Sequence, residues 1–175
     1  MQTESSDGTS PARLFVGLWP DETVRDALFA CAERWTWPPG ARRVPRNKLH
    51  LTLFFLGAVP RERVAALEQG LALPAADGFE LQLQRAEVWP NEVAVLRPLA
   101  VPPGLQLLHE RLHGALAELG IAPSRERWLP HLTLARRARW AVPCDARPPI
   151  RWAVRGHALI ESTPSSAYRV LREYR

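Results

Sequence analysis

One tetrapeptide, His-Leu-Thr-Leu, occurs twice in this chain, at residues 50–53 and 131–134. Each copy closes the same run of elements. Val16-Gly-Leu-Trp-Pro20 reads as the end of a strand and is followed by a helical stretch that leads to the first copy. Val93-Ala-Val-Leu-Arg-Pro98 does the same for the second. Pro20 lies 30 residues before His50, and Pro98 lies 33 before His131. A strand-helix-strand unit repeated at nearly constant spacing restricts the chain to two similar halves related by an approximate two-fold axis.

Periodicity fills in the rest. Strands are predicted at 13–19, 48–57, 79–89, 92–96, 131–135, 150–161 and 167–174. Helices are predicted after Asp21, a plausible N-cap followed by Val24, Leu28, Cys31 and Trp35, and after Pro60, with Val64, Leu67 and Leu71 on one face. A third opens at Pro102 with the stripe Leu105, Leu108, Leu112, Leu116 and Leu119, and Gly120 ends it. The expected class is α+β, with antiparallel-rich sheets and helices outside. Residues 1–12 read as a flexible tail and 13–175 as a single domain. Hydrophobic residues at 46% and charged residues at 23% exclude wholesale disorder. No apolar run reaches the ~18–20 residues of a membrane span. The polar start has no leader-like basic or apolar stretch, so the expected location is the cytoplasm, with no membrane partner. Cys31 and Cys144 form no C-x-x-C and read as ordinary thiols.

Side chains at i and i+2 of a strand share a face. His50 therefore shares a face with Thr52, and His131 with Thr133, while the intervening leucines fill the other side. Five His and seven Thr in 175 residues give roughly 0.2 His-x-Thr triplets by chance. Two of them, at equivalent places in a repeat and within apolar strands, are an anomaly that packing does not explain. The quartet suits in-line phosphoryl transfer. One histidine takes a proton from the attacking oxygen and the other gives one to the leaving oxygen. An unperturbed pKa of ~6.5 allows one ring to be neutral and the other charged near neutrality. The Thr hydroxyls can donate to non-bridging oxygens as charge builds there. This chemistry demands no metal or other cofactor.

The charge distribution points to a phosphate-bearing partner. The basic residues are 22 Arg and one Lys, Lys48. Within residues 121–155, Arg125, Arg127, Arg136, Arg137, Arg139, Arg147, Arg151 and Arg155 face only Glu126 and Asp145. That is a local +6 in a chain of net +5. Arg42, Arg43, Arg46 and Lys48 form a second cluster. Guanidinium groups recognise phosphate oxygens bidentately. Arg136, which closes the second motif, is the leading phosphate contact, although its odd spacing from Thr133 requires a bulge or twist. Phe54, in the same parity as His50, is expected to line the cleft. Trp128, three residues before the second motif, is expected to stack on a base.

The strings HLTLFFLG and PHLTLAR resemble the two signature strands of the two-histidine (2H) phosphoesterase superfamily. The Asn47-Lys48-Leu49-His50 lead-in, the Phe55-Leu56-Gly57 exit, the helix at Pro102 and the Trp128-x-Pro130-His131 approach agree with it. Within that superfamily the chain is most similar to the RNA 2′,3′-cyclic phosphodiesterases, formerly named 2′-5′ RNA ligases. One departure is Leu129, where relatives often carry a polar or basic residue. The resemblance implies a bilobal pseudo-two-fold fold, with two sheets around a central cleft where the His-x-Thr pairs face each other. It implies hydrolysis of an RNA terminal 2′,3′-cyclic phosphate to a 2′-phosphomonoester, and it admits reversible 2′-5′ RNA ligation. It gives His50 the role of proton donor and His131 that of proton acceptor. The protein is expected to act on RNA or an oligonucleotide as a monomer.

Two other readings compete. His109-Glu110-Arg-Leu-His113 fits the helical H-E-x-x-H zinc signature of metal hydrolases. Against it, His109 falls at the edge of the apolar stripe, His113 falls further round, and no third His follows at the expected spacing. The other is a non-catalytic RNA-binding module that works through its arginines. His157 reads as structural.

Overall fold

The computed structural model describes residues 10–74, 77–122 and 128–175. Along the chain these residues form β1 (Ala12–Leu18), α1 (Glu22–Glu33), β2 (Arg42–Arg43), β3 (Leu51–Val59), α2 (Val64–Gly70) and β4 (Phe79–Val88). They continue with β5 (Ala94–Pro98), α3 (Pro103–Glu118), β6 (Leu132–Arg136), β7 (Ile150–Val154), β8 (His157–Ser162) and β9 (Tyr168–Tyr174). Ala12 is already fully buried in β1, so the first strand begins one residue before the predicted 13–19.

The two expected sheets are fused into one curled sheet. Its order is β7-β4-β5-β6-β3-β1-β8-β9, with β2 added against β6, and every pairing is antiparallel. The halves meet where β3 and β6 pair at Leu51 and Leu132. One half is β3, β1, β8 and β9; the other is β6, β5, β4 and β7. The strand predicted over 150–161 is two strands, because the chain crosses between halves at Gly156. A Cβ there would collide with the Tyr174 carbonyl, so glycine is required by close approach. The short β2 had no period to announce it in the sequence.

The helices form where the apolar spacing places them. The Asp21 carboxylate accepts the Val24 N–H at 2.9 Å, a cap worth about 1 kcal/mol. Val24, Leu28 and Cys31 of α1 are buried, and the helix lies against β7 of the other half. Leu105, Leu112 and Leu116 of α3 are fully buried, each worth about 2 kcal/mol of transfer free energy. These residues join one large core under the helices. A smaller cluster of Phe15, Ala158 and Ile160, flanked by Trp19 and Tyr168, occupies the opposite face of the β1 half.

The isolated functional-looking side chains have structural work. His157 is buried, stacks on Tyr174 at 4.5 Å, and its Nε2 bonds the Leu71 carbonyl at 3.0 Å. Burial pushes its pKa down, so the ring is neutral and Nε2–H donates. Cys31 and Cys144 touch, with sulfurs 3.4 Å apart. Burial first, and then its neighbour Cys144, pushes the Cys31 thiol up to about 11. The pair braces α1 against the loop after β6.

Candidate active site

The Leu51–Leu132 pair is the pivot of the site. Both leucines are fully buried, pointing into the core. Their neighbours on each strand, His50 and Thr52, His131 and Thr133, therefore emerge on the opposite face. In an antiparallel pair, continuing the register by one residue sets His50 beside Thr133 and Thr52 beside His131. One backbone contact thus brings together the four residues that the repeat singled out, each half-buried.

The two imidazoles are anchored alike. His50 Nδ1 lies 2.6 Å from the Lys48 carbonyl, and His131 Nδ1 lies 2.8 Å from the Leu129 carbonyl. A carbonyl only accepts, so Nδ1 carries hydrogen in both rings and Nε2 is left for chemistry. The departure at Leu129 is therefore harmless at this point: the backbone makes the bond and the side chain is exposed. The Thr52 hydroxyl lies 3.0 Å from His50 Nε2, donating to the neutral ring and accepting from it once Nε2 is protonated. Burial is the largest influence holding the His50 imidazole below its ordinary value. Nearby His131 adds to it, and the Lys48 carbonyl opposes it. His131 is also held low by burial first, with the Arg97 and Arg136 charges adding and the Leu129 carbonyl opposing.

A bulge at the same place in each half decides which further residues reach this face. In β3, Thr52 pairs with Gly17 and Phe54 with Val16, leaving Leu53 without a partner. In β6, Thr133 pairs with Val95 and Ala135 with Ala94, leaving Leu134 without one. An extra residue reverses the side-chain parity beyond it. Leu53 and Phe54 both turn to the core, as do Leu134 and Ala135. Phe55 and Arg136 return to the histidine side.

This corrects the expectation for Phe54, which is 8% exposed and stacks on His109 of α3 at 4.3 Å. Its neighbour Phe55, missed by strict alternation, is 75% exposed and packs near Phe15, which in turn touches His50 at 4.8 Å. The same bulge supplies what Arg136 required, and Arg136 is exposed, opposite Arg42 of β2. Trp128 stacks on the far side of His109 at 3.8 Å, so one face of its ring is occupied. His109 is therefore the middle layer of an aromatic sandwich. His113 is exposed, and among the described residues no group of three ligating side chains exists that could hold a metal ion.

The walls around the two histidines differ. Trp19, Phe15 and Tyr168 surround His50, with ring centroids 6.1, 4.8 and 5.3 Å away. Trp89 packs on His131 at 4.5 Å, and Arg97 stands beside it, bonded to Glu87 at 2.6 Å. Three arginines of the 121–155 cluster are paired at the surface: Arg147 with Asp145, Arg151 with Glu80, and Arg139 with Glu92. Arg125 and Arg127 lie outside the described residues.

Comparison with known proteins agrees with this geometry. Residues 24–164 match the 2′-5′ RNA ligase superfamily. The RNA 2′,3′-cyclic phosphodiesterase of Thermus thermophilus is 33% identical over 180 residues, covering 93% of this chain and 89% of that protein. The enzyme of the same name from Escherichia coli is 33% identical over 135 residues, 77% of each chain. The crystal structure of E. coli LigT complexed with 3′-AMP superposes with a TM-score of 0.81 at 30% identity, covering 94% of this chain and 97% of that one. With its two anchored histidines on one face of a curled antiparallel sheet, the chain belongs to the 2′-5′ RNA ligase superfamily.

Proposed function

We propose that this protein hydrolyses the terminal 2′,3′-cyclic phosphate of RNA to a 2′-phosphomonoester, with His50 and His131 as acid and base. The observation that carries the reading is the Leu51–Leu132 pivot, which sets two Nδ1-anchored imidazoles on one face with their Nε2 atoms free of backbone partners. Water attacks phosphorus on the side opposite the 3′-oxygen. The His131 Nε2 takes the proton of the water, the bond from phosphorus to the 3′-oxygen breaks, and protonated His50 Nε2 gives its proton to that oxygen. The product keeps phosphate on the 2′-oxygen. Thr52 and Thr133 donate hydroxyl hydrogens to the non-bridging oxygens, where negative charge grows.

The wall around His50 suits the terminal nucleobase, because Phe55 offers an open ring for stacking. Arg136 suits a phosphate oxygen beyond the reacting one. All four catalytic side chains come from one copy of the chain, so a monomer is complete. No helix among the described residues is long and apolar enough to cross a membrane.

The decisive assay incubates the purified protein with an RNA ending in a 2′,3′-cyclic phosphate, in excess EDTA, and identifies the phosphomonoester formed. A 2′-phosphate as sole product is the expected result. A 3′-phosphate would reverse the assignment of the leaving oxygen. Loss of turnover in EDTA with recovery on zinc would replace the mechanism with metal chemistry.

A further inference from the structure

The repeat that makes the halves alike also marks where they differ most. In the first half, Leu18 pairs with Leu51, so Trp19 is the next cross-strand neighbour of His50. In the second half, Leu96 pairs with Leu132, so Arg97 is the next cross-strand neighbour of His131. Both neighbours share the face of their histidine. Trp19 and Arg97 thus occupy one position of the repeat, an uncharged ring against one histidine and a permanent cation against the other.

Arg97 is held there firmly. Its Nη1 bonds the Glu87 carboxylate at 2.6 Å, and its guanidinium lies 6.0 Å from the centre of the Trp89 ring, the same ring that packs on His131. The Arg97 side chain is only 19% exposed, and its buried Nε has no hydrogen-bond partner among the described residues. Glu87 is itself anchored by Trp89 Nε1 at 2.9 Å and Arg85 at 3.0 Å. A desolvated, oriented cation interacts with a neighbouring proton site far more strongly than a surface one.

We propose that Arg97 is the positioning residue that breaks the two-fold symmetry of the site and assigns the role of base to His131. It acts through His131. This inference rests on the acid–base reading above. A second positive charge on the His131 ring, facing Arg97, costs free energy, so the ring stays neutral and ready to accept a proton. His50 has an aromatic neighbour in the equivalent place. Burial opposes its proton too, but no guanidinium is fixed directly across the strand from it, the nearest cations, Lys48 and Arg25, lying over the far rings of Tyr168 and Trp19. The charges that act on His131 are Arg97 from β5 and Arg136 from its own strand. Behind them, Glu87 of β4 bonds Arg97 and Arg85 and offsets part of the Arg97 charge, Arg42 of β2 lies opposite Arg136, and His50 stands across the β3–β6 pair. Of these, Arg97 is the cation fixed directly across the strand pair. Its field adds to burial in keeping His131 low.

The test follows each histidine ring by proton NMR in the free protein, alongside the pH profile of kcat/KM. In Arg97→Met the His131 titration should move to higher pH, while that of His50 moves much less. The acid limb of kcat/KM should move with it, so that lost rate is regained as pH rises. Arg97→Lys keeps a cation and should keep both close to wild type. Glu87 has bonds from Trp89 and Arg85 besides that from Arg97, and Arg97→Lys, which restores the cation to Glu87, separates loss of the charge from damage to the fold. An unmoved His131 titration in Arg97→Met overturns the proposal, and so does an Arg97→Lys variant that shifts as far as Arg97→Met. The NMR arm needs no substrate, so it stands even where turnover of the cyclic-phosphate RNA fails.

Discussion

The His50 and His131 halves share a backbone plan to the residue. Each has an Nδ1 anchored on the carbonyl two positions back, a threonine two positions on, an unpaired leucine next, and an exposed residue five positions after the histidine. What stands around that plan is different. His50 is enclosed by Phe15, Trp19 and Tyr168, and its exposed residue is Phe55. His131 has Trp89 beside a set of charges, Arg97, Glu87 and Arg136, and its exposed residue is Arg136. In the mechanism proposed above, this symmetric scaffold sets two proton-transfer groups on opposite sides of the substrate, and the walls suit a base ring on one side and an anion on the other. Symmetry supplies position, and side-chain chemistry supplies direction.

The largest effect that would break this comparison is at the histidines. His50→Ala and His131→Ala should each lower kcat by about 10²–10⁴-fold. The double variant should cost much less than the product of the two, because the rings act on one transition state. Near wild-type turnover in either single variant would end the mechanism. In the free protein both rings sit below the usual histidine value of ~6.5. The base is lost as pH falls through the lowered His131 value, and the acid as pH rises through the lowered His50 value. The bell of kcat/KM should therefore centre on the acidic side of neutrality. A bound phosphate anion favours protonated His50, so the alkaline limb of kcat should lie at higher pH than that of kcat/KM.

Next in size come the exposed partners. Phe55→Ala should weaken binding of a cyclic-phosphate oligonucleotide roughly ten-fold at any salt, the order of one lost base stack. Phe54→Ala, by contrast, should destabilise the fold, because Phe54 is a core residue. Arg136→Gln should weaken binding in a salt-dependent way and reduce the slope of log affinity against log salt by about 1. Equal salt slopes for the Phe55 and Arg136 variants would show that the halves do not divide base from phosphate.

A smaller effect tests whether the walls are interchangeable. Gly17 and Val95 occupy the same repeat position, opposite Thr52 and Thr133. A Cβ on Gly17 would meet the Leu51 carbonyl at 2.9 Å and approach His50 Cδ2 at 3.7 Å. Gly17→Ala should cost about 1–3 kcal/mol in unfolding experiments and also reduce kcat, through displacement of the pivot strand. Val95→Ala should cost about 1–3 kcal/mol for its lost buried methyl groups, with a smaller effect on rate. The smallest effects belong to α3. His113→Ala should leave rate and stability unchanged, whereas His109→Ala should leave the rate unchanged but lose about 1 kcal/mol with its aromatic stack.

The four motif residues that the structure brings together were legible in the sequence, and their surroundings were not. His50, Thr52, His131 and Thr133 could be paired from the repeat because strand parity within three residues is a local property of the backbone. The same reasoning failed at Phe54, two residues further on, because the bulge at Leu53 reverses parity and no residue type there announces it. It left Arg136 unresolved for the same cause. Trp128 looked available because its partner, His109, lies in a helix distant along the chain. The one curled sheet, in place of two, depends on a single strand contact whose register is fixed by the burial of two leucines.

By itself, then, the sequence determined the α+β class, the two-fold plan, the helical faces and the four motif residues, all of which follow from short-range periodicity and a repeat. The tertiary structure alone decided that Phe55 rather than Phe54 lies on the histidine side of the sheet, that Arg136 emerges on that side too, and that Arg97 stands across from His131. Those outcomes depend on bulges and cross-strand register. Both are set by how distant segments bury their apolar sides together, and local spacing carries no record of that.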